Sequence, residues 1–235
     1  MAAIPALFTV DEGAASPSVA EDVWVRQQLQ HYEATSTYRC ESITTTLCTF
    51  NAGCKKPPQD LSFLTKTQRD CPPDILLVAL QEVDMSASAL IREETEAAVP
   101  WMDGLRAATS GLYEVIAVKQ LVGLMSCLFV KRSLRSRVSE IKVVTCATGA
   151  LGAMGNKGGI GIRLTMDSTT MCFINCHLAA HQGAVGKRNQ DIAQILSGLN
   201  LNPNEFAGEN VSSGSPVGLS TVPLMPREHH LCFVV

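Results

Sequence analysis

The chain has 235 residues, a formal net charge of −3 at pH 7 and a pI near 6.0, and 46% of its residues are hydrophobic. This apolar fraction is enough for a substantial core, which excludes a disordered chain. The weak negative charge excludes an overall basic field for holding nucleic acid or an anionic membrane, so any anion site must be local.

Nine cysteines are scattered singly along the chain, several inside apolar runs, and no C-x-x-C pair is present. This pattern is typical of small buried side chains in a reducing compartment, not of a zinc cluster or a disulfide framework. Residues 1–13 lack the basic segment of a signal peptide, and the longest later apolar run, 121–130, is about half of what a bilayer crossing needs. We therefore expect a cytoplasmic protein.

Residues 1–40 are interpreted as an N-terminal extension with a short helix. The first core elements follow it. Residues 43–51 are rich in β-branched side chains, and 74–83 form a continuous apolar run after two prolines, so both are predicted to be strands. Asn51 and Glu82 come at the ends of these two strands.

Residues 86–98 contain good helix formers and predict a helix that Pro100 helps to end. The next part of the chain is a series of apolar runs separated by short turn-like breaks, which indicates antiparallel strands. The predicted strands are 113–119, 121–131, 137–148, 159–166 and 169–176. Buried strands combined with hairpins favour a layered α/β sandwich over a purely parallel sheet.

Apolar residues recur at helical spacing from Gly183 to Leu199, which predicts another helix. Residues 202–226 are rich in Ser, Gly and Pro and are interpreted as a flexible loop. Residues 227–235 have the composition of a strand that is only beginning where the sequence stops.

Two polar side chains at strand ends are candidates for binding a metal or a phosphate. Glu82 could hold a hard cation such as Mg²⁺, or simply cap its strand at the surface. Asn51, in TFNAG, could bind a metal-linked water or a phosphate oxygen, or merely form an Asx-turn.

A glycine-rich stretch, GALGAMGNKGGIGIR at 149–163, surrounds Lys157. Its backbone can approach a ligand closely, and the lysine supplies a point charge for phosphate. It matches neither a P-loop nor G-x-G-x-x-G, and a plain hairpin turn is the alternative.

The histidines of HLAAH, His177 and His181, have zincin spacing but lack the glutamate that would act as general base. His177 could instead donate a hydrogen bond to a phosphoryl group, or both histidines could be satisfied in a turn. Lys187 and Arg188 lie near the start of the predicted helix, where an anionic ligand or a partner carboxylate would offset their unfavourable position.

Together, the order and spacing of TFNAG, LQEV, GAMGNKGGIGIR, FINCHLAAH and KRNQD resemble the inositol polyphosphate 5-phosphatases, a family of the endonuclease/exonuclease/phosphatase superfamily. The resemblance makes 41–201 the N-terminal portion of a catalytic domain. It implies a four-layer α/β/β/α sandwich with mixed, largely antiparallel sheets, and Mg²⁺-dependent removal of the 5-phosphate from inositol phosphates or phosphoinositides.

The resemblance also implies roles for individual residues. Glu82 would hold the metal with Asn51 beside it, and His177 would stabilise the transition state. A further set of residues would contact the substrate phosphates or brace the site that holds them: Lys157, Arg188, Asn156 and His181. The implied partners are inositol phosphates or phosphoinositide headgroups and, transiently, a membrane surface; no nucleic acid is expected.

The sequence departs from the family in lacking its W-x-G-D-L-N-Y-R and S-D-H segments, which supply a water-positioning Asp and a second histidine. We therefore expect a C-terminally incomplete domain with little or no activity of its own. A non-catalytic binding or regulatory protein is the alternative, and another phosphodiesterase or nuclease of the superfamily is a third.

Overall fold

The structure is a computed structural model that describes residues 41–65, 71–86, 89, 95–148, 157–201 and 229–235. The segment from Thr44 to Val235 forms one compact unit. The predicted extension at 1–40 and the loop at 202–226 lie outside the described residues.

Sheet A is formed by the first four strands, in the order β1-β2-β4-β3. β1 and β2 are parallel, and β4 pairs antiparallel with both β2 and β3. Every residue of β2 is buried, as its continuous apolar run predicts. The strands are Thr45–Asn51 (β1), Ile75–Gln81 (β2), Tyr113–Leu121 (β3) and Leu124–Lys131 (β4).

Sheet B contains the remaining four described strands in chain order, β5-β6-β7-β8. The first three form an antiparallel meander, whereas β8 returns parallel to β7. The strand expected within 227–235 is therefore present. The strands are Val138–Ala147 (β5), Gly158–Met166 (β6), Thr169–His177 (β7) and Leu231–Val234 (β8).

Two local predictions were wrong. β4 and β5 do not pair, because a 3-10 helix, Arg132–Arg137, carries the chain from sheet A to sheet B. Pro100 does not end a helix but lies in the first turn of one, Val99–Thr109, where its missing N–H has no helical partner to lose.

Helices cover the outer face of each sheet. Trp101, Met102 and Leu105 of the helix Val99–Thr109 (α2) pack on β2 and β4, beside the short helix Ser62–Thr65 (α1). The helix Val185–Gly198 (α3) packs on sheet B. The inner faces of the two sheets contact each other. The resulting α/β/β/α layering confirms the predicted fold class, with mixed, largely antiparallel sheets.

Glycines on β6 let α3 approach sheet B closely. A Cβ on Gly159 would lie 2.5 Å from a side-chain methyl of Ile195, and one on Gly161 would lie 3.0 Å from Leu199. Gly159 and Gly161 therefore serve helix-sheet packing. No helix among the described residues has the length and apolar character needed to cross a bilayer.

Candidate functional site

Two predicted site residues meet at one end of sheet A, because β1 and β2 run parallel. Asn51 lies in register with Gln81, and Glu82 follows directly. The Asn51 side-chain oxygen accepts a 2.9 Å hydrogen bond from the backbone N–H of Gly53, which is the Asx-turn that the sequence left open. Asn51 is exposed at this edge, so the turn orients an amide that solvent or a ligand can reach.

Glu82 has a left-handed backbone, with φ of 54°. Such a conformation is uncommon for a residue with a side chain and persists where neighbours enforce it. Here the Glu82 carbonyl accepts a 2.7 Å hydrogen bond from the N–H of Cys54, and the N–H of Val83 donates to the Gly123 carbonyl at 2.9 Å. Two loops thus hold the half-buried carboxylate at the end of the sheet.

His177 and Lys157 come from sheet B and face Glu82. His177 ends β7, in register with Gly158, which follows Lys157. The Lys157 Nζ lies 2.7 Å from His177 Nε2, and this ring nitrogen lies 3.5 Å from the Glu82 carboxylate. The two sheets therefore bring an imidazole within reach of both an amine and a carboxylate.

The electrostatics of this cluster favour one neutral group. Burial lowers the pKa of Lys157 below its usual value, and attraction by the carboxylates of Glu82 and Asp191 offsets that effect only in part. Two positive charges at 2.7 Å would repel strongly, so a charged Lys157 requires a neutral His177 that accepts its N–H at Nε2. A negatively charged ligand would relieve this conflict by allowing both groups to be donors.

Sequence reasoning missed a pair of buried amides, Gln81 and Asn175, which we term the amide clamp. Gln81 Nε2 donates to Asn175 Oδ1 at 2.9 Å, and Asn175 Nδ2 donates to the carbonyls of Leu80 and Met125 at 3.2 and 3.1 Å. Gln81 immediately precedes Glu82, and Asn175 lies two residues before His177. The clamp therefore joins the two sheets next to the site. The sequence did contain a signal for this pair, because each amide lies in an otherwise apolar strand, Gln81 in β2 and Asn175 in β7.

Side chains of α3 fix the loop between β7 and α3. Arg188 donates to the backbone carbonyls of Ala179, at 3.3 Å, and His181, at 2.6 Å. Asp191, 1% exposed, accepts from the Ala179 N–H at 2.9 Å and pairs with Lys187 at 2.9 Å. The Asp191 carboxylate thus offsets the unfavourable position of the Lys187 charge near the start of the helix. The sequence had left open whether a carboxylate or an anionic ligand would do so.

The structure brings Glu82, Lys157 and His177 together, with Asn51 at the same edge. Arg188 braces the nearby loop. The described bonds of His181 are made by its backbone, and its side chain is exposed. Roles of Arg188 and His181 at a substrate stay predictions. Asn156 lies outside the described residues.

The side chains around Glu82 offer few ligands of their own to a metal ion. Among the described residues, no group of three or more His, Cys, Asp or Glu side chains could hold a metal. Mg²⁺ commonly uses one or two carboxylates and fills its shell with water and substrate phosphate. The accessible carboxylate of Glu82, with the Asn51 amide nearby, fits that mode of binding.

Comparisons with known proteins agree with this geometry. The family model described as Endonuclease/Exonuclease/phosphatase family 2 matches residues 48–235. Type I inositol polyphosphate 5-phosphatase 13 of Arabidopsis thaliana is 31% identical over 88% of the chain, and the Type II inositol 1,4,5-trisphosphate 5-phosphatase of Mus musculus is 32% identical over 75%. The chain spans only 19% and 18% of the lengths of these relatives.

A solved structure shares the fold. It is the inositol polyphosphate 5-phosphatase domain of a synaptojanin in complex with inositol (1,4)-bisphosphate and a calcium ion. The match has a TM-score of 0.61 at 24% identity and covers 76% of this chain and 52% of that one. The resemblance that the motifs indicated is therefore confirmed at the level of family and fold.

Proposed function

Because the chain belongs to the endonuclease/exonuclease/phosphatase family, we propose that its site takes part in Mg²⁺-dependent hydrolysis of the 5-phosphate of inositol polyphosphates or phosphoinositides. The observation that carries the proposal is the convergence of Glu82, Lys157 and His177, from both sheets, at the positions of the motifs shared with 5-phosphatases. The 5-phosphatases among the relatives support the choice of substrate class.

Each residue has a role that its surroundings support. Glu82, with Asn51 beside it, would hold the metal, which supplies neutralisation of charge on the phosphoryl oxygens. Lys157 would offer a positive charge to the phosphate, and its partial burial strengthens that attraction. His177, 8% exposed, would donate from Nε2 to a phosphoryl oxygen once it is protonated.

The amide clamp and the Arg188-braced loop would support these side chains without touching substrate.

We further propose a cytoplasmic protein that can act at membrane surfaces, since phosphoinositide headgroups lie there and the family acts on both soluble and lipid-linked inositol phosphates. We expect little or no phosphate release by the 1–235 chain itself, because its sequence has no match to the family's W-x-G-D-L-N-Y-R and S-D-H segments.

Binding calorimetry with inositol 1,4,5-trisphosphate, with and without Mg²⁺, tests the proposal in the 1–235 chain, and phosphate release is measured in parallel. Lys157→Gln and His177→Gln are expected to weaken binding about tenfold to hundredfold, the equivalent of one lost charge-assisted hydrogen bond at ~1.5–3 kcal/mol. Glu82→Gln is expected to abolish the dependence on Mg²⁺.

Asp167→Asn is the matched control. It removes a carboxylate at the β6–β7 turn, at the opposite end of these strands from the site, and Asn tolerates the left-handed backbone there, with φ of 52°. Unchanged binding in all three site variants would refute the assignment of the site. Binding without release is the expected result for the 1–235 chain, and rapid phosphate release would refute the expected inactivity.

A further inference from the structure

Two cysteines lie directly opposite each other where β8 pairs with β7. Cys172 and Cys232 are in register on these parallel strands. Neighbouring strands lie about 4.8 Å apart, which is inside the Cα separation of about 4.4–6.8 Å that a disulfide requires. Both residues are free thiols in the structure. Their backbones are therefore already placed for a covalent link.

The other thiols on this face of sheet B lie too far away to compete. Cys176 is four residues further along β7, about 13 Å from Cys172 at the rise of an extended strand. Cys146 lies across from Gly159, which in turn pairs with Cys176. Two strand spacings, about 10 Å, therefore separate Cys146 from Cys176, beyond the reach of a disulfide. The strand register selects Cys172 and Cys232.

A buried cation lies beside Cys172. Arg163 is in register with Cys172 on β6 and is 3% exposed. Its guanidinium donates to Glu140 at 2.9 and 3.0 Å, while its Nε finds no hydrogen-bond partner within the described parts of the chain. The positive charge of Arg163 lowers the pKa of the adjacent Cys172 thiol and so offsets part of the effect of its burial, which favours the thiolate that attacks in the second step.

The two thiols differ in exposure and acidity. Cys232, on the outermost of the described strands of sheet B, is exposed, whereas Cys172 is fully buried. The hydrogen bond from Cys172 lowers the pKa of Cys232 despite its partial burial, and the same bond together with burial raises the pKa of Cys172. An accessible, more acidic thiol next to a buried second thiol is the arrangement found in redox-sensing cysteine pairs.

We propose that Cys232 and Cys172 are a peroxide-sensitive pair, in which Cys232 is oxidised first and Cys172 then closes a disulfide that joins β8 to β7. The Cys232 thiolate sulfur attacks one oxygen of hydrogen peroxide, the O–O bond breaks, and the departing hydroxide takes up a proton to become water. Cys232 is then a sulfenic acid.

In the second step the Cys172 sulfur attacks the Cys232 sulfur. The S–O bond breaks, and the hydroxyl leaves as water with the proton of Cys172. Overall the two thiols lose two electrons and two hydrogens, and the peroxide is reduced to two waters. The product covalently ties β8 to the strand that ends at His177. This modification does not depend on the proposed phosphatase function.

Peptide mapping of the full 1–235 chain tests the proposal. The reduced, folded chain is treated with hydrogen peroxide, its remaining thiols are blocked with N-ethylmaleimide, and tryptic peptides are analysed without reduction. We expect peptides 164–187 and 228–235 to appear linked, at a mass lower than their sum by two hydrogens, and blockable thiols to fall from nine to seven.

Variants identify the residues involved. Cys172→Ser and Cys232→Ser should each abolish the link. Cys176→Ser, the matched control on the same peptide, should retain it. Because the wild-type chain alone shows whether the link forms, misfolding of a variant cannot decide the result.

Two results would overturn the proposal. One is the absence of the link at peroxide concentrations that oxidise the exposed thiols of Cys54 or Cys71. The other is an equal yield of the link in urea, since an unfolded chain has no strand register to select this pair.

Discussion

Replacing Asn175 with alanine is expected to be among the most destabilising polar substitutions in this domain. Asn175 is completely buried, and its amide makes three hydrogen bonds, to Gln81 and to the carbonyls of Leu80 and Met125. At about 1 kcal/mol for each lost bond, the free energy of unfolding should fall by ~3 kcal/mol. The loss of side-chain volume adds to this value.

Urea denaturation monitored by intrinsic fluorescence measures the effect. The urea concentration at the midpoint should fall, while the slope of the free energy of unfolding against urea concentration stays unchanged. The control is Asn51→Ala, which removes one hydrogen bond at an exposed turn and should cost less than about 1 kcal/mol. A double-mutant cycle with Gln81→Ala should give a coupling energy of about 0.5–3 kcal/mol, since the two side chains are in contact. Equal costs at Asn175 and Asn51, or a zero coupling, would refute the amide clamp.

Two further substitutions test the packing and the charges of sheet B. Gly159→Ala should lower the free energy of unfolding by about 1–3 kcal/mol, because the new Cβ would lie 2.5 Å from an α3 side chain. Gly186→Ala is the control: nothing lies within 4 Å of its Cβ, so this change should be neutral or stabilising. Thermal denaturation measures both. Hydrogen bonds from Thr165 and Arg163 lower the pKa of Glu140, so its contribution to stability is present above its unfolded pKa and is lost as pH falls through the lower folded value. Glu140→Gln should therefore flatten the acid side of the stability–pH profile, and an unchanged profile would contradict this reasoning.

The sequence predicted the strands well where the pattern was strong. The apolar run of β2 and the β5-β6-β7 meander are present close to the predicted bounds. The transfer of the chain between sheets at Arg132–Arg137 was not predictable, because a short polar break looks the same whether the strands on either side pair or separate. Pro100 was misread for a related reason: proline is common both in the first turn of a helix and just after a helix ends.

The site was predictable only in part. Strand ends identified Glu82 and Asn51, and the motifs identified Lys157 and His177. Their mutual distances depend on how two sheets pack, and no local pattern contains that information. The amide clamp escaped notice because Gln81 and Asn175 are far apart in the sequence, and each amide has meaning only beside the other.

The parallel return of β8 has a consequence for folding. Strands β5 to β7 pair with their immediate neighbours in the sequence, so little chain entropy opposes their association. β8 pairs with β7 through four residues, and Cys232 of β8 lies 60 positions after its partner Cys172 in the sequence. Contacts so distant in sequence form late and open readily. Sheet B is therefore expected to assemble as a meander, then acquire α3 across its glycine face, and bind β8 last.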